Sequence, residues 1–299
     1  MFKLVCGAGN EDTESVKKLV FIYAKAGCKL FDISARKEIL HAAQEGAKLS
    51  GMEGIKYCVS VGIKGDPHIS KALINKEKCI NCGACYLICP NDAIDNIQKC
   101  IGCGKCLTVC PQQAISMIEK DVDVSEILPY MVKNGVDVLE LHIMGHDKDD
   151  LKKKWEIINN CKPKYASICI DRENFGNREC IARIKEMILT REPYSTIIQA
   201  DGIPMSGADD SYKTTLQAVA MAEIIQNANL PVYIMLSGGT NSKTASLAKQ
   251  CGINYWGIAI GSWARKIIKE EVNSVDFWEN QTIQTYAIEK ARELILSSV

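Results

Sequence analysis

Hydrophobic residues along this 299-residue chain follow two recurring patterns: short runs rich in β-branched residues, and longer amphipathic stretches. The short runs are typical of strands buried in a parallel sheet, and apolar residues three or four positions apart indicate helices. Strands are predicted over residues 2–7, 29–34, 55–62, 136–143, 165–171, 195–201, 231–237 and 255–261. Helical segments lie between them, such as 11–27, which begins with acidic residues and ends with glycine.

Eight strands, each followed by a helix, predict an α/β fold of the (β/α)8 barrel type. Outside a cysteine-rich block the chain has about 245 residues, close to the usual size of this fold. A doubly wound open sheet is the alternative, because strand number alone does not decide between an open and a closed sheet.

Alternation within the strands predicts which side chains point into the barrel. On the fourth predicted strand, Glu140 and His142 alternate with apolar residues that should face the helices. The same parity points other polar residues inward: Asp32, Ser34, Ser167, Cys169, Asp171, Gln199 and Asp201. Glu140, His142 and Asp171 are therefore candidate catalytic residues that could transfer protons. The alternative is that they are hydrogen-bonded structural residues of the upper barrel layer.

Eight of the 15 cysteines lie between residues 79 and 110, in two copies of the spacing C-x2-C-x2-C-x3-C-P. This spacing is typical of bacterial two-cluster ferredoxins, in which three cysteines of a run bind one cluster and the fourth binds the other. We therefore assign Cys79, Cys82, Cys85 and Cys110 to one [4Fe-4S] cluster, and Cys89, Cys100, Cys103 and Cys106 to a second.

Zinc knuckles are the alternative for this block, since paired C-x2-C is also a zinc spacing. Zinc does not require the third cysteine, the C-P ending and the duplication together, so iron–sulfur clusters are favoured. Residues 91–99 and 112–120, which follow the two runs, are predicted to form short strands. The other seven cysteines are expected to be free thiols, most of them in the core.

The block follows the third predicted barrel strand, which suggests three segments: barrel over 1–66, an inserted ferredoxin-like domain over 67–120, and barrel over 121–299. Loops after barrel strands lie at the carboxyl-terminal face, where active sites are built. We therefore expect the clusters to lie beside the barrel mouth.

Glycine-rich turns follow the last two predicted strands, in "LSGGTNSKTA" and "GIAIGSWARK". Such turns form the phosphate site of many barrels, where main-chain N–H groups surround an anion. The predicted cradle consists of Ser237, Gly238, Gly239, Thr240, Gly261 and Ser262, with Arg265 as a charge partner. FMN or a sugar phosphate would suit this site. The alternative is that the glycines only allow tight turns.

Composition narrows the function classes. The 36 basic and 36 acidic residues give a net charge of zero, which provides no electrostatic reason for binding nucleic acid or an anionic membrane. No stretch approaches the length of a membrane span, and the amino terminus does not resemble a signal peptide. A cytoplasmic protein is expected, with a redox protein or a small phosphorylated molecule as its partner.

Several segments resemble the light-dependent period (LdpA) family of iron–sulfur proteins. The resemblance rests on "FKLVCGAG", "AGCKLFDISA", "DPHISKA", the double cysteine run and "ELHIMGH". It implies two [4Fe-4S] clusters and a redox-sensing role that conveys light or metabolic state to a circadian clock.

Two main hypotheses for function follow. The first is an iron–sulfur protein that acts in electron transfer or redox sensing, with the clusters beside a barrel pocket. The second is an oxidoreductase whose clusters supply electrons to a flavin or a phosphorylated substrate at the barrel mouth. A third is a barrel enzyme without redox chemistry, in which the clusters are structural.

Overall fold

The structure, a computed structural model, describes residues 1–7, 9–64, 66, 70–119, 122–172, 175–202 and 209–298. Eight parallel strands close into a barrel, and two further strands form a separate antiparallel pair. In barrel order the eight are β1 (Phe2–Val5), β2 (Leu30–Ser34), β3 (Lys56–Gly62), β6 (Val138–His142), β7 (Tyr165–Ile170), β8 (Thr196–Asp201), β9 (Tyr233–Ser237) and β10 (Gly257–Ile260). The separate pair consists of β4 (Ser70–Ile74) and β5 (Ile115–Glu119).

Helices cover the outside of the barrel, and two short ones belong to the inserted block. In chain order they are α1 (Thr13–Ala26), α2 (Lys37–Ser50), α3 (Ala84–Ile88), α4 (Lys105–Val109), α5 (Val124–Lys133), α6 (Lys148–Asn160), α7 (Asn177–Ile188), α8 (Tyr212–Asn227), α9 (Thr244–Gln250), α10 (Ser262–Lys266), α11 (Lys269–Asn273) and α12 (Gln281–Ser297). The caps of α1 agree with the sequence pattern. The side chain of Asp12 accepts a hydrogen bond from the Ser15 N–H, and Gly27 ends the helix with a φ of 112°.

The predicted fold class is confirmed. All eight predicted barrel strands are present, the sheet is closed rather than open, and the cysteine block is inserted after β3. The predicted ends of the insert, residues 67 and 120, lie outside the described residues, so its boundaries stay a prediction.

Two apolar clusters hold the barrel together. The larger one fills the space between strands and helices. The smaller one lies inside the barrel and contains Leu30, Cys58, Val138, Ile197, Met235 and Ala259. Val138 and Ile197 each lie two positions before an inward polar residue, Glu140 and Gln199, on the same strand. The barrel interior is therefore apolar towards the amino-terminal ends of the strands and polar beyond them.

The insert is built on the β4–β5 pair, in which Ala72 lies opposite Met117. The prediction of a strand over 112–120 is confirmed by β5, but the prediction of a strand over 91–99 is wrong. That segment ends in a 3-10 helix, Ile97–Lys99, because the side chain of Asn96 accepts a bond from the Gln98 N–H and forms a turn. The true partner strand, β4, comes before the cysteines.

The insert packs against the loop between β1 and α1, at the carboxyl-terminal end of the barrel. The Glu11 N–H donates to the Gln98 carbonyl at 2.8 Å. The buried ammonium of Lys71 donates to the Gly9 carbonyl and, at 2.8 Å, to the Cys100 carbonyl. Lys71 thus joins the barrel loop to the main chain of a predicted cluster ligand. Among the described residues, no helix is long and apolar enough to cross a membrane.

Replacement of Lys71 by Met should weaken the attachment of the insert. The change leaves the carbonyls of the buried Gly9 and the part-buried Cys100 without this donor, at a cost of about 1–3 kcal/mol. We expect a lower unfolding temperature and faster proteolysis between β3 and α5 in the anaerobically purified protein. Lys78→Met, at an exposed position of the same insert, is the control. Equal proteolysis of the two variants would contradict this role of Lys71.

Candidate functional site

The two cysteine runs have the same backbone conformation, 21 positions apart. Gly83 and Gly104 have φ values of 78° and 67° and come directly before α3 and α4. Asn81 and Gly102, at matching positions, also have positive φ. None of the 15 cysteines forms a disulfide. The duplicated spacing therefore corresponds to a duplicated local structure.

The first predicted ligand set surrounds one cavity. Cys79, Cys82, Cys85 and Cys110 all line a cavity of about 430 Å³ inside the insert. Its other described lining residues are mostly apolar and come from β4, α3, the start of β5 and the segments that connect them. The fourth cysteine of the second run thus joins the first three of the first run, as the ferredoxin pattern requires.

The second predicted set is also brought together. Burial, together with the neighbouring Cys103, Cys100 and Cys89, raises the pKa of Cys106 to about 11. Burial likewise raises the pKa of Cys103, with Cys89 and Cys100 adding to the shift. Cys89 is therefore a close neighbour of the second run, although it belongs to the first in sequence.

Main-chain N–H groups point at several of these sulfur atoms. The Ala93 N–H donates to Cys89 Sγ at 3.2 Å, and the Ala114 N–H donates to Cys110 Sγ at 3.2 Å. The Ala72 N–H donates to Cys100 Sγ at 3.4 Å. Such donors stabilise thiolates and tune cluster potentials. In grouping and in donors, the eight cysteines fit two [4Fe-4S] clusters.

A buried ion-pair network fills the polar layer of the barrel. Lys3 Nζ lies 2.8 Å from a carboxylate oxygen of Asp32 and 2.8 Å from one of Glu140. It also donates to Gln199 Oε1 at 2.8 Å. Attraction to these carboxylates outweighs burial and raises the pKa of Lys3 well above its usual range. The ammonium is therefore charged and has oxygen acceptors on three side chains, with Cys58 Sγ at 3.6 Å as a further acceptor.

Glu140 is the most heavily bonded member of this network. Besides Lys3, it accepts bonds from Ser60 Oγ at 3.2 Å and Ser167 Oγ at 2.7 Å. Gln199 Nε2 donates to it at 3.1 Å. Burial disfavours the charged form, but Lys3 and His142 outweigh burial and hold the pKa of Glu140 well below its usual range. Such a carboxylate is a weak base, which favours a structural role.

His142 lies between two carboxylates. Its Nε2 is 3.1 Å from Glu140 Oε1, and its Nδ1 is 3.5 Å from Asp66 Oδ2. Burial lowers the pKa of His142, but the bond to Glu140 and the charge of Asp66 raise it to about 9 overall. Asp171, the third predicted catalytic residue, is fully buried just after β7, and its carbonyl accepts a bond from Cys180 Sγ. The catalytic roles of Glu140, His142 and Asp171 stay predictions.

Donor atoms of two buried triads lie within 4.8 Å of one another: Glu140, His142 and Cys169, and Asp32, Cys58 and Glu140. The Lys3 ammonium already lies 2.8 Å from both carboxylates of the second triad. In the first triad, Gln199 Nε2 donates to Glu140 and to Cys169 Sγ. These contacts favour a closed hydrogen-bond network over a further metal site.

The predicted phosphate cradle is divided between two places. Ser237 and Gly239 (φ 75°) flank Gly238, and a Cβ at Gly238 would lie 1.6 Å from Asp201 Oδ1. The hydroxyl of Thr240 donates to the Ala259 carbonyl. A carboxylate at the Gly238 turn repels a phosphate bound there.

The rest of the cradle lies against the insert. Ser262 and Arg265 line a cavity of about 300 Å³ that is also lined by Cys89. Gly261 is close to the same guanidinium, since a Cβ added to this glycine would lie 3.1 Å from Arg265 Nη1. The described residues that line this cavity include two of the seven predicted cradle residues, Ser262 and Arg265. Anion binding by the whole set stays a prediction.

Lys3 and Lys71, two buried lysines with structural contacts at the sites, were not predicted from the sequence. The parity that points Asp32 and Glu140 inward would also have pointed Lys3 inward, since Phe2 and Leu4 face the helices. No comparable signal exists for Lys71, because its partners are main-chain carbonyls of distant segments.

Comparison with known protein families gives three matches. A family model described as the light dependent period A C-terminal domain matches residues 130–299. Models described as a 4Fe-4S binding domain and a 4Fe-4S dicluster domain match residues 72–95 and 99–157. A curated relative, "Light dependent period A" from Synechococcus elongatus, is 31% identical over 310 residues, which cover 90% of this chain and 81% of the relative.

Similar solved structures share little sequence with this chain. Orotidine 5'-phosphate decarboxylase from Pyrococcus horikoshii is 12% identical with a TM-score of 0.44, and the match covers 98% of this chain and 99% of that one. A sialic acid aldolase from Ruminococcus gnavus is 14% identical with a TM-score of 0.45, and the match covers 96% and 77% of the two chains.

Replacement of Lys3 by Met should destabilise the barrel strongly. The change buries two carboxylates without their cation, and loss of one partner of a buried ion pair costs about 3–5 kcal/mol. Glu140→Gln in the same chain should recover part of this loss, because it removes one of the two charges. Urea unfolding followed by circular dichroism measures both, with the exposed Lys185→Met as control. Additive losses in the double variant would contradict the proposed coupling.

Stability should depend on pH through His142. Because folding raises its pKa from 6.5 to about 9, the bound proton stabilises the fold fully below about pH 6.5. That contribution, roughly 3 kcal/mol at most, is lost as the pH rises through 9. His142→Gln should flatten the fall in unfolding temperature over this range, whereas the exposed His41→Gln should not. The same slope in both variants would exclude His142 as the source.

Proposed function

The chain belongs to the light dependent period A family, and from this premise we propose that it is a redox protein that exchanges single electrons through two [4Fe-4S] clusters. The chain is an iron–sulfur protein by its matched motifs. The main support for the electron-transfer role is the grouping of the cysteines, in which each run contributes its fourth cysteine to the site of the other run. Cys110 lines the cavity of the first run, and Cys89 interacts with the thiols of the second.

Two ligand sets follow from this grouping. Cys79, Cys82, Cys85 and Cys110 form the outer site, and Cys89, Cys100, Cys103 and Cys106 form the inner site. Each set would hold one cluster, which supplies one-electron transfer when bound. The chain itself supplies the thiolates, the N–H donors of Ala93 and Ala114, and the shielding of the sites from water.

The two sites differ in their surroundings. Cys82 in the outer site is exposed, and the exposed apolar side chains of Ile80 and Tyr86 lie next to it. Cys106 in the inner site is buried, and Lys71 ties the Cys100 carbonyl to the barrel loop. We therefore assign electron exchange with a partner protein to the outer site. A change of charge at the inner site would act on the adjacent residues of the barrel.

An oxidoreductase is the second candidate, and one observation favours it. Cys89 of the inner site lines the same cavity as Ser262 and Arg265, so a ligand there would lie beside a cluster ligand. FMN or another phosphate-bearing molecule released from anaerobically purified protein, identified by mass spectrometry and absorption, would support this function. Reversible reduction without any released molecule would support sensing or electron carriage.

Cysteine variants test the exchanged ligand sets. The anaerobic wild-type protein should contain about eight iron atoms and about eight sulfides per chain. Cys82→Ser and Cys110→Ser should alter the outer site and leave the same residual electron paramagnetic resonance signal after reduction. Cys89→Ser and Cys103→Ser should leave the other signal, because these ligands belong to the inner site.

Cys251→Ser, at an exposed position outside the insert, is the control and should keep the full iron content. Bound zinc in place of iron would overturn the proposed function. A residual signal of Cys110→Ser that matches Cys103→Ser rather than Cys82→Ser would overturn the exchanged assignment.

A further inference from the structure

A cavity of about 300 Å³ lies between the insert and the barrel, and its charge is strongly one-sided. Five cationic side chains line it: Lys99, Lys105, Arg265, Lys266 and Lys269. None of the described lining residues is acidic. In a chain whose net charge is zero, this is a local concentration of positive charge that attracts anions.

Ion pairs neutralise these cations only in part. Lys269 lies 2.8 Å from Asp92, Lys266 lies 3.8 Å from Asp209, and Lys99 lies 4.0 Å from Asp12. Lys105 forms no ion pair with any residue that the structure describes. Its position at the start of α4 brings a charge from the insert to a cavity whose other wall is the barrel.

Arg265 is the best anchored of the five cations. Its Nη1 donates to the Val5 carbonyl at 2.7 Å, which fixes the guanidinium at the end of β1. Its Nε is buried and has no hydrogen-bond partner among the described residues. A buried N–H without an acceptor is costly, so an anion in the cavity would satisfy a group that the described protein atoms leave unsatisfied.

Together these features indicate the chemical class of the ligand. A positioned guanidinium, several ammonium groups and the Ser262 hydroxyl match the many acceptor oxygens of a phosphate group. The volume is at the lower end of the range for small-molecule sites. We propose that this cavity binds a small phosphorylated molecule, held between the insert and the barrel.

Binding at this position should be linked to the redox state of the inner site. The link rests on the proposed ligation by Cys89, which lines the cavity. One electron taken up from a reductant such as dithionite adds one negative charge to the inner site and breaks no bond. Because like charges repel, reduction weakens anion binding, and anion binding lowers the reduction potential by the reciprocal amount.

Calorimetric titration of the anaerobic holoprotein with inorganic pyrophosphate, at constant ionic strength, tests the cavity. We expect saturable binding to the oxidised protein, weakened about tenfold or more by Lys105→Gln and restored by Lys105→Arg. Lys249→Gln, an exposed lysine of α9 away from the cavity, should bind like the wild type. No binding, or equal binding by the two glutamine variants, would overturn the site.

Redox titration of the same samples tests the linkage. A tenfold weaker affinity in the reduced protein corresponds to about 59 mV between the potentials with and without pyrophosphate. A shift in wild type that requires about tenfold more pyrophosphate in Lys105→Gln supports the coupling, and unchanged wild-type potentials at saturating pyrophosphate overturn it. Iron analysis keeps the two proposals separate: full iron content without pyrophosphate binding overturns the anion site alone.

Discussion

The attachment of the insert by the Lys71 ammonium is the interaction on which the functional arrangement depends. One buried side chain bonds the Gly9 carbonyl of the β1–α1 loop and the Cys100 carbonyl of the inner site. Other contacts cross the same junction, including the Glu11 N–H bond to the Gln98 carbonyl and the Lys269–Asp92 ion pair, but Lys71 is the buried one that reaches a predicted cluster ligand. With it, one wall of the basic cavity is fixed relative to the other, and Cys89 faces residues that follow β10.

The polar network inside the barrel pairs its charged groups with one another. Glu140 and His142 lie at the strand ends where barrel enzymes carry catalytic groups. However, their charges are satisfied by Lys3 and by each other. A buried pair of this kind adds little net stability but makes alternative arrangements of the strands costly, because each would leave a charge without its partner. The network therefore favours one register of the barrel.

Much of the fold and part of the site could be predicted from the sequence. Strand periodicity is local, so the eight barrel strands and the inward parity of Glu140 were recoverable from nearby residues. The cysteine spacing follows from the shape of a cubane cluster, so even the exchange of Cys89 and Cys110 could be predicted. The pairing of β4 with β5 and the docking by Lys71 could not, because both depend on contacts between distant segments. Of the predicted cradle, Ser262 and Arg265 line the cavity beside the insert, a placement that also depends on contacts between distant segments.

Charge is distributed differently inside the barrel and at its junction with the insert. Acidic groups are concentrated inside the barrel, where Asp32, Asp66 and Glu140 surround the cations of Lys3 and His142. The unbalanced cations are concentrated outside it, at the cavity beside the inner site. Electrostatic interactions weaken steeply with distance and salt, so only a charge change close to this cavity can alter what binds there. The inner site meets that condition because Cys89 forms part of the cavity wall, whereas the described residues that line the cavity of the first run all belong to the insert. In the proposed function, this unequal placement would separate electron exchange at the surface from its effect on the barrel.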